Sequence, residues 1–165
     1  MDRIASFQIV SQEQFQLAMD KNDLVFSEDI YHEILLPKRA TEGSAGYDFY
    51  APFTFTLAPG ESLFIPTGIR AEIARGWVLM LFPRSGLGIK YQLQLDNTVG
   101  VIDSDYYFAE NEGHIMTKIT NHSSRSLTIE KGQGFVQGVF LPFGITVDDN
   151  AQEKRIGGFG STTKK

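Results

Sequence analysis

Two carboxylates, Asp103 and Asp105, close the apolar run Val99–Ile102 in the segment VGVIDSDY, Val99–Tyr106. Residues two apart on a strand share a face, so this spacing predicts both carboxylates on one side of the chain. A carboxylate held against a water molecule can take its proton as a general base. A strand that merely ends in solvated aspartates fits the same spacing, and both readings stand on this segment alone. Pro83-Arg84-Ser85-Gly86 follows a second apolar run, Trp77–Phe82. It reads as a turn closing a strand, or as an anion cradle of Arg84, Ser85 and backbone N–H groups near Gly86. Asp48 lies in AGYDFYA, Gln137 in GQGFVQGVF, and a lone Phe159 in the tail segment GGFGST, Gly157–Thr162. That phenylalanine has no evident core to join. Glu110, Glu112 and His114 form a polar cluster whose spacing is a weak metal-ligand pattern.

The chain is expected to bind with backbone as well as side chains, because 16 of its 165 residues are glycine and several fall in these segments. Glycine permits sharp turns and close approach to a ligand. The length predicts a single domain with one core. A net charge of −5 argues against a general nucleic-acid binder, which needs a basic face. It also repels a polyphosphate, so local cations, N–H groups or a divalent metal must reverse the field at such a site. The chain has no cysteine, which excludes disulfides, thiolate metal sites and a cysteine nucleophile. The N-terminus lacks a continuous apolar signal region, and no apolar run approaches the ~18 residues of a membrane span. A cytoplasmic, membrane-free protein is the expectation.

From about residue 50 onward the pattern is β. Short runs rich in β-branched and aromatic residues cover Thr54–Leu57, Ser62–Ile65, Ile69–Ile73, Trp77–Phe82, Tyr91–Leu95, His114–Thr120, Ser126–Ile129 and Phe135–Leu141, with turn signals between them. This predicts an all-β sandwich, barrel or jelly roll; no strand–helix alternation supports a doubly wound fold. Ahead of it, Arg3–Val10 reads as a strand. Ser11–Asn22 reads as a short helix with Ser11 as N-cap, Gln14 as capping-box partner, and Phe15, Leu17 and Ala18 as a modest apolar face. Asp23–His32 is ambiguous. The stretch from Asp148 to Lys165 is polar and predicted to be mobile, ordering over a ligand.

The five glycine-rich segments, in this order across roughly Leu36 to Thr162, resemble the five motifs of the homotrimeric dUTPase family. The resemblance implies an all-β, jelly-roll-like fold with a short N-terminal helical extension. It implies a dUTPase-like domain over 1–147, including an extension over 1–34, and a C-terminal arm over 148–165 that closes over the site. It implies Mg²⁺-assisted hydrolysis of dUTP to dUMP and pyrophosphate, which keeps uracil out of DNA and supplies dUMP for thymidylate synthesis. In the implied site Asp103 activates the water, with Asp105 in support. Arg84, Ser85 and Gly86 take the phosphates, Ser85 at the α–β bridging oxygen. Gln137 supports the aspartate and phosphate region, and Asp48 contacts waters of the metal near the threefold axis. Asn97 and the backbone of a hairpin through Gly100 and Val101 read uracil; Tyr106 packs beneath the deoxyribose and excludes a 2′-hydroxyl. Phe159 stacks on uracil while Gly160, Ser161 and Thr162 close on the phosphates. The phosphate-binding cation of the tail is Lys154 or Arg155, and bidentate contact favours Arg155. Each site of the C3 homotrimer draws on more than one subunit.

The chain departs from the family pattern in three places. Gly134 stands where a basic residue is usual, Tyr107-Phe108 where arginine and glycine are usual, and FAENEG, Phe108–Gly113, resembles an insertion at the hairpin tip. Two other readings share the fold. The dCTP deaminases act on a related triphosphate but lack a full VIDSDY and GGFGST pair. A regulatory protein that binds a repressor would use the N-terminal extension and the FAENEG segment.

Overall fold

The computed structural model describes residues 2–153, 155 and 157; Lys154, Phe159, Gly160, Ser161 and Thr162 lie outside them. Among the described residues the strands are β1 (Ala5–Ile9), β2 (Lys38–Arg39), β3 (Tyr47–Tyr50), β4 (Phe55–Leu57), β5 (Ser62–Ile73), β6 (Trp77–Pro83), β7 (Leu93–Leu95), β8 (Gly100–Ile102), β9 (Ile115–Asn121), β10 (Leu127–Ile129) and β11 (Gly134–Pro142). The helices are α1 (Gln12–Asp20), α2 (Glu28–His32), α3 (Ser85–Tyr91) and a 3-10 turn, Ser104–Phe108. The strands form a four-stranded sheet β1-β5-β9-β7, a five-stranded sheet β2-β3-β11-β6-β8 and the pair β10-β4. The chain is all-β, as expected, and no helix among the described residues is long and apolar enough to cross a membrane.

Alternation sorts the side chains. Leu93 and Leu95, Phe55 and Leu57, and Leu127 and Ile129 are buried while the residue between each pair is exposed. These residues join Phe49, Leu79, Leu81, Ile65, Ile115, Ile119 and Phe135 in one core shared by all three sheets. Phe7 of β1 bridges the two larger sheets, with its ring 5.6 Å from Phe49 and 5.7 Å from Phe140. Burying each such side chain contributes about 1.5–3 kcal/mol.

Three elements differ from the sequence expectation. β5 runs unbroken from Ser62 to Ile73, through Pro66 and Gly68; its register with β9 shifts between Pro66 and Ile69, so an irregularity absorbs both residues. Ser85–Tyr91 is helix rather than turn followed by strand, and Gln92 ends it in the left-handed region at φ 48°. The third is the expected hairpin after β7. β7 pairs with β9 and β8 pairs with β6, so the segment crosses between sheets instead of folding back on itself. Gly100 makes the crossover fit, because a Cβ there would sit 3.0 Å from the Leu81 Cβ.

The N-terminal helix forms with Ser11 as its cap, the Ser11 hydroxyl accepting from the Gln14 N–H at 3.1 Å. Its buried face is Phe15, Ala18 and Met19, while Leu17 is 46% exposed. The other half of the expected capping box comes from 101 residues away: Ser11 donates its N–H and hydroxyl to the two Glu112 carboxylate oxygens, at 2.8 and 2.5 Å. Tyr107 adds a second tie, donating its hydroxyl to Gln8 Oε1 at 2.8 Å. The Arg70 guanidinium stacks 3.7 Å over the Tyr107 ring. The extension and the Phe108–Gly113 segment are therefore each other's structural partners.

Candidate active site

β11 sits at the centre of the site. Gln137 lies opposite Asp48 on β3 and opposite Phe82 on β6, and its side-chain amide donates to the Pro83 carbonyl at 3.4 Å. Gly46 leaves it room, since a Cβ there would meet Gln137 Oε1 at 2.6 Å. Just past this same end of β6, Arg84 is the N-cap residue of α3. Its Nε pairs with Asp48 Oδ1 at 3.2 Å and its Nη1 donates to the Gly134 carbonyl at 3.3 Å. A recess of about 370 Å³ opens here, lined by Arg84, Ser85, Gly86, Lys90 and Gly134 among others. The structure thus brings Asp48, Arg84, Ser85, Gly86 and Gln137 together.

Asp103 and Tyr106 lie elsewhere. β8 ends at Ile102, so Asp103 caps the 3-10 turn and Asp105 lies in its first turn. The two acids do not share a strand face, yet both meet one cation. Arg155 Nη2 donates to Asp103 Oδ2 at 2.7 Å, and Arg155 Nε stands 3.2 Å from Asp105 Oδ1. The same guanidinium lies 5.5 Å over the Tyr106 ring. Tyr106 is 3% exposed; its hydroxyl donates to the His114 carbonyl at 2.7 Å and accepts from Asn111 at 2.8 Å. Burial pushes its phenol pKa above the usual value, outweighing Asn111 and Arg155.

Asn97 and Gly100 line a narrow cavity of about 170 Å³ with Leu81, Leu95 and Met116. Val101 faces solvent, 55% exposed. Between Asn97 and Val99, Thr98 takes φ 67° and the Val99 N–H closes on the Asn97 carbonyl at 2.7 Å. A β-branched residue in the left-handed region is strained. Nothing in the residue type of Thr98 signals that strain. Next to this turn Asp96 pairs with Lys118 at 3.0 Å and accepts from Thr120 at 2.5 Å. Burial alone would raise its pKa, but Thr120 and Lys118 hold it below the ordinary value.

The register also separates groups. Leu79 pairs with Ile102, so Asp103 leaves β8 beside the start of β6, whereas Ser85 follows its end. The intervening strand spans roughly 20 Å at ~3.3 Å per residue. Aspartate and serine side chains of one chain cannot meet on one phosphate across that distance.

Glu112 and His114 are taken up structurally. Glu112 holds Ser11, and the buried His114 accepts from the Gly68 N–H at 2.9 Å. No group of three acidic or histidine side chains among the described residues is arranged to hold a metal. A single carboxylate such as Asp48 still suits Mg²⁺, which keeps several waters and binds with few protein ligands on a nucleotide phosphate.

The fold is β-rich, with a recess of about 370 Å³ beside Arg84 and Ser85 and a separate acidic turn at Asp103 and Asp105. The dUTPase family model matches residues 32–163, and the chain belongs to the dUTPase family. A deoxyuridine 5'-triphosphate nucleotidohydrolase of Lactococcus lactis subsp. lactis (strain IL1403) is 50% identical over 132 residues, 78% of this chain and 88% of its own. Another, from Tolumonas auensis, is 42% identical over 81% of this chain and 90% of its own. The crystal structure of dUTPase from Streptococcus mutans superposes with a TM-score of 0.66 at 35% identity, covering 86% of this chain and 98% of that one. A dUTPase of Staphylococcus bacteriophage 80alpha shares the fold, with a TM-score of 0.65 at 21% identity over 92% and 98% of the two chains. Membership makes the chain an enzyme, a dUTP diphosphatase that hydrolyses dUTP.

Proposed function

We propose that hydrolysis proceeds by attack of water on the α-phosphorus of Mg²⁺–dUTP within a homotrimer. The new bond joins the water oxygen to the α-phosphorus, the α–β bridging P–O bond breaks, and dUMP and pyrophosphate leave. Asp103 takes the water proton. Ser85, Arg84 and N–H groups near Gly86 meet the charge that develops on the leaving pyrophosphate. Gln137 orients the phosphate region from the centre of β11. Bound near Asp48 through water, Mg²⁺ would neutralise phosphate charge and polarise the phosphoryl oxygens.

Base and sugar selection fall to the crossover. Asn97 with the backbone of Gly100 and Val101 reads uracil. Tyr106 excludes a ribose 2′-hydroxyl, and its ring is well suited because its hydroxyl is tied to His114 and Asn111. Hydrogen-bonded sites of this kind discriminate by orders of magnitude, since a mismatched base leaves buried polar groups unpaired. Residues 1–147 form the enzyme body, and 148–165 act as the arm. Arg155 or Lys154 meets phosphate, while Phe159, Gly160, Ser161 and Thr162 close over the nucleotide and exclude water. Arg155 resting on Asp103 and Asp105 before substrate arrives fits that role, because it keeps the arm beside the acidic turn.

The observation that carries the reading is the combination of family membership with retention, in order, of Asp48, Arg84-Ser85, Asn97, Asp103, Tyr106 and Gln137. The trimer has support of its own. One chain holds Asp103 and Ser85 at opposite ends of β6, which supports a site completed by a second copy. From the end of β11 onward, Leu141, Phe143, Ile145 and Val147 alternate along the chain and are exposed, an apolar surface that a neighbouring copy would cover. The product dUMP then serves thymidylate synthesis, and removal of dUTP keeps uracil out of DNA. The test is pyrophosphate release from dUTP beside dTTP, dCTP and UTP, with and without a chelator. Release from dUTP alone, lost on chelation, is expected; release from UTP or dTTP at a comparable rate would overturn the selectivity roles.

A further inference from the structure

Gly134 opens β11 without the positive φ that Gly60, Gly68, Gly76, Gly113 and Gly132 adopt. Its backbone therefore does not require glycine; the space a side chain would take is filled by the Arg84 guanidinium. A Cβ built on Gly134 would lie 2.9 Å from Arg84 Nη1, 3.3 Å from Arg84 Cδ and 3.4 Å from Asp48 Cβ. The first separation is closer than real Cβ atoms come, so the arginine would have to move. In the place that a side chain would fill, Arg84 donates to the Gly134 carbonyl and pairs with Asp48.

We propose that Gly134 is a positioning residue for Arg84. The missing side chain creates a slot that seats the guanidinium between Asp48 and the Gly134 carbonyl, at the edge of the recess in front of Ser85 and Gly86. A guanidinium carries five N–H donors in a fixed fork, enough for a carboxylate, a carbonyl and a phosphate together. An arginine already held by the first two loses less side-chain entropy when the third arrives. Glycine at 134 thus leaves Arg84 seated in advance at the edge of the recess. The inference deepens the proposed phosphate role of Arg84 and rests on it.

The test compares the full-length chain with Gly134→Ala, Arg84→Ala and the double variant. Calorimetric titration uses two probes, dUMP and the imido analogue dUpNHpp, beside KM and kcat for dUTP and a thermal midpoint for each protein. Gly134→Ala is expected to weaken the analogue about tenfold, the scale of one charge-assisted hydrogen bond. It should raise KM in step and leave dUMP affinity within about twofold. Adding it to Arg84→Ala should change analogue binding no further, the signature of one shared interaction. Losses that multiply in the double variant, or a dUMP affinity that falls as far as the analogue's, overturn the proposal. If Gly134→Ala folds poorly, the thermal midpoint decides. The alanine should cost stability with Arg84 present and little in the Arg84→Ala background; an equal drop in both overturns the seating. A wild-type chain that leaves dUTP intact would instead overturn the proposed function, so the two failures are distinguishable.

Discussion

Acidification should loosen this protein through His114 in a calculable way. The imidazole is fully buried, with the Phe15 ring 6.1 Å away. Its Nε2 accepts from the Gly68 N–H, so the neutral ring carries its proton on Nδ1, which has no hydrogen-bond partner among the described residues. A second proton would land on Nε2 and set two N–H donors against each other in a site without water's dielectric. Burial accordingly lowers the His114 pKa from 6.5 to about 4, with the Glu112 charge opposing. The folded state thus refuses a proton that the unfolded chain accepts. Stability is intact above pH 6.5 and falls as the pH drops toward 4. From the two values the loss between pH 7 and pH 5 is about 2 kcal/mol, and it approaches about 3 kcal/mol below pH 4. The assay is urea unfolding at fixed protein concentration from pH 7.5 to 5, for the wild type and His114→Gln. Glutamine can offer an acceptor to Gly68 and does not titrate. The wild-type curve should slope and the variant's should flatten over that window; parallel curves would refute the assignment of the proton-linked loss to His114.

Other substitutions separate chemistry from architecture. Asp103→Asn should reduce kcat by about 10²–10⁴ with little change in dUpNHpp affinity, checked by pyrophosphate release and titration; unchanged kcat would remove Asp103 from the role of base. Deleting Phe159–Lys165 should raise KM and lower kcat together, and full activity in the truncated chain would show that the arm does not act as a lid. Glu112→Ala should cost about 1–3 kcal/mol of stability, because it strips the α1 cap of two acceptors. Burial raises the Glu112 pKa, but the Ser11 hydrogen bonds outweigh it and hold the group below its ordinary 4.5. Its contribution is therefore present above 4.5 and disappears as the pH falls through the lowered value, which thermal melts of wild type and variant between pH 6 and 3 would reveal.

Local pattern and physics already determined much in the amino-acid sequence. Alternation in segments such as Phe55-Thr56-Leu57 and Leu127-Thr128-Ile129 made the strands legible, because a half-buried strand must place apolar residues two apart. Ser11 announced its helix, since an N-cap oxygen serves a donor only three residues on. Five short segments, each weak alone, were enough together to point to the family.

Long-range geometry was decided only by tertiary structure. α3 was hidden because Ser85–Tyr91 holds two glycines, which disfavour helix. β5 passes through Pro66 and Gly68 because β9 accommodates an irregularity opposite them. Asp103 and Asp105 suggested a shared strand face, yet they converge on Arg155 from a 3-10 turn. Glu112 completes a cap 101 residues away, and no local rule reaches that far. The same holds for the distance between Asp103 and Ser85. Sequence order gives chemistry its parts, but the β6–β8 register sets them at opposite ends of one strand. Residue types and short spacings are read from the chain because hydrogen bonds and side-chain periodicity act locally. Which groups share a site depends on strand pairing across the whole fold, and here on a further copy of the chain if the proposed trimer forms.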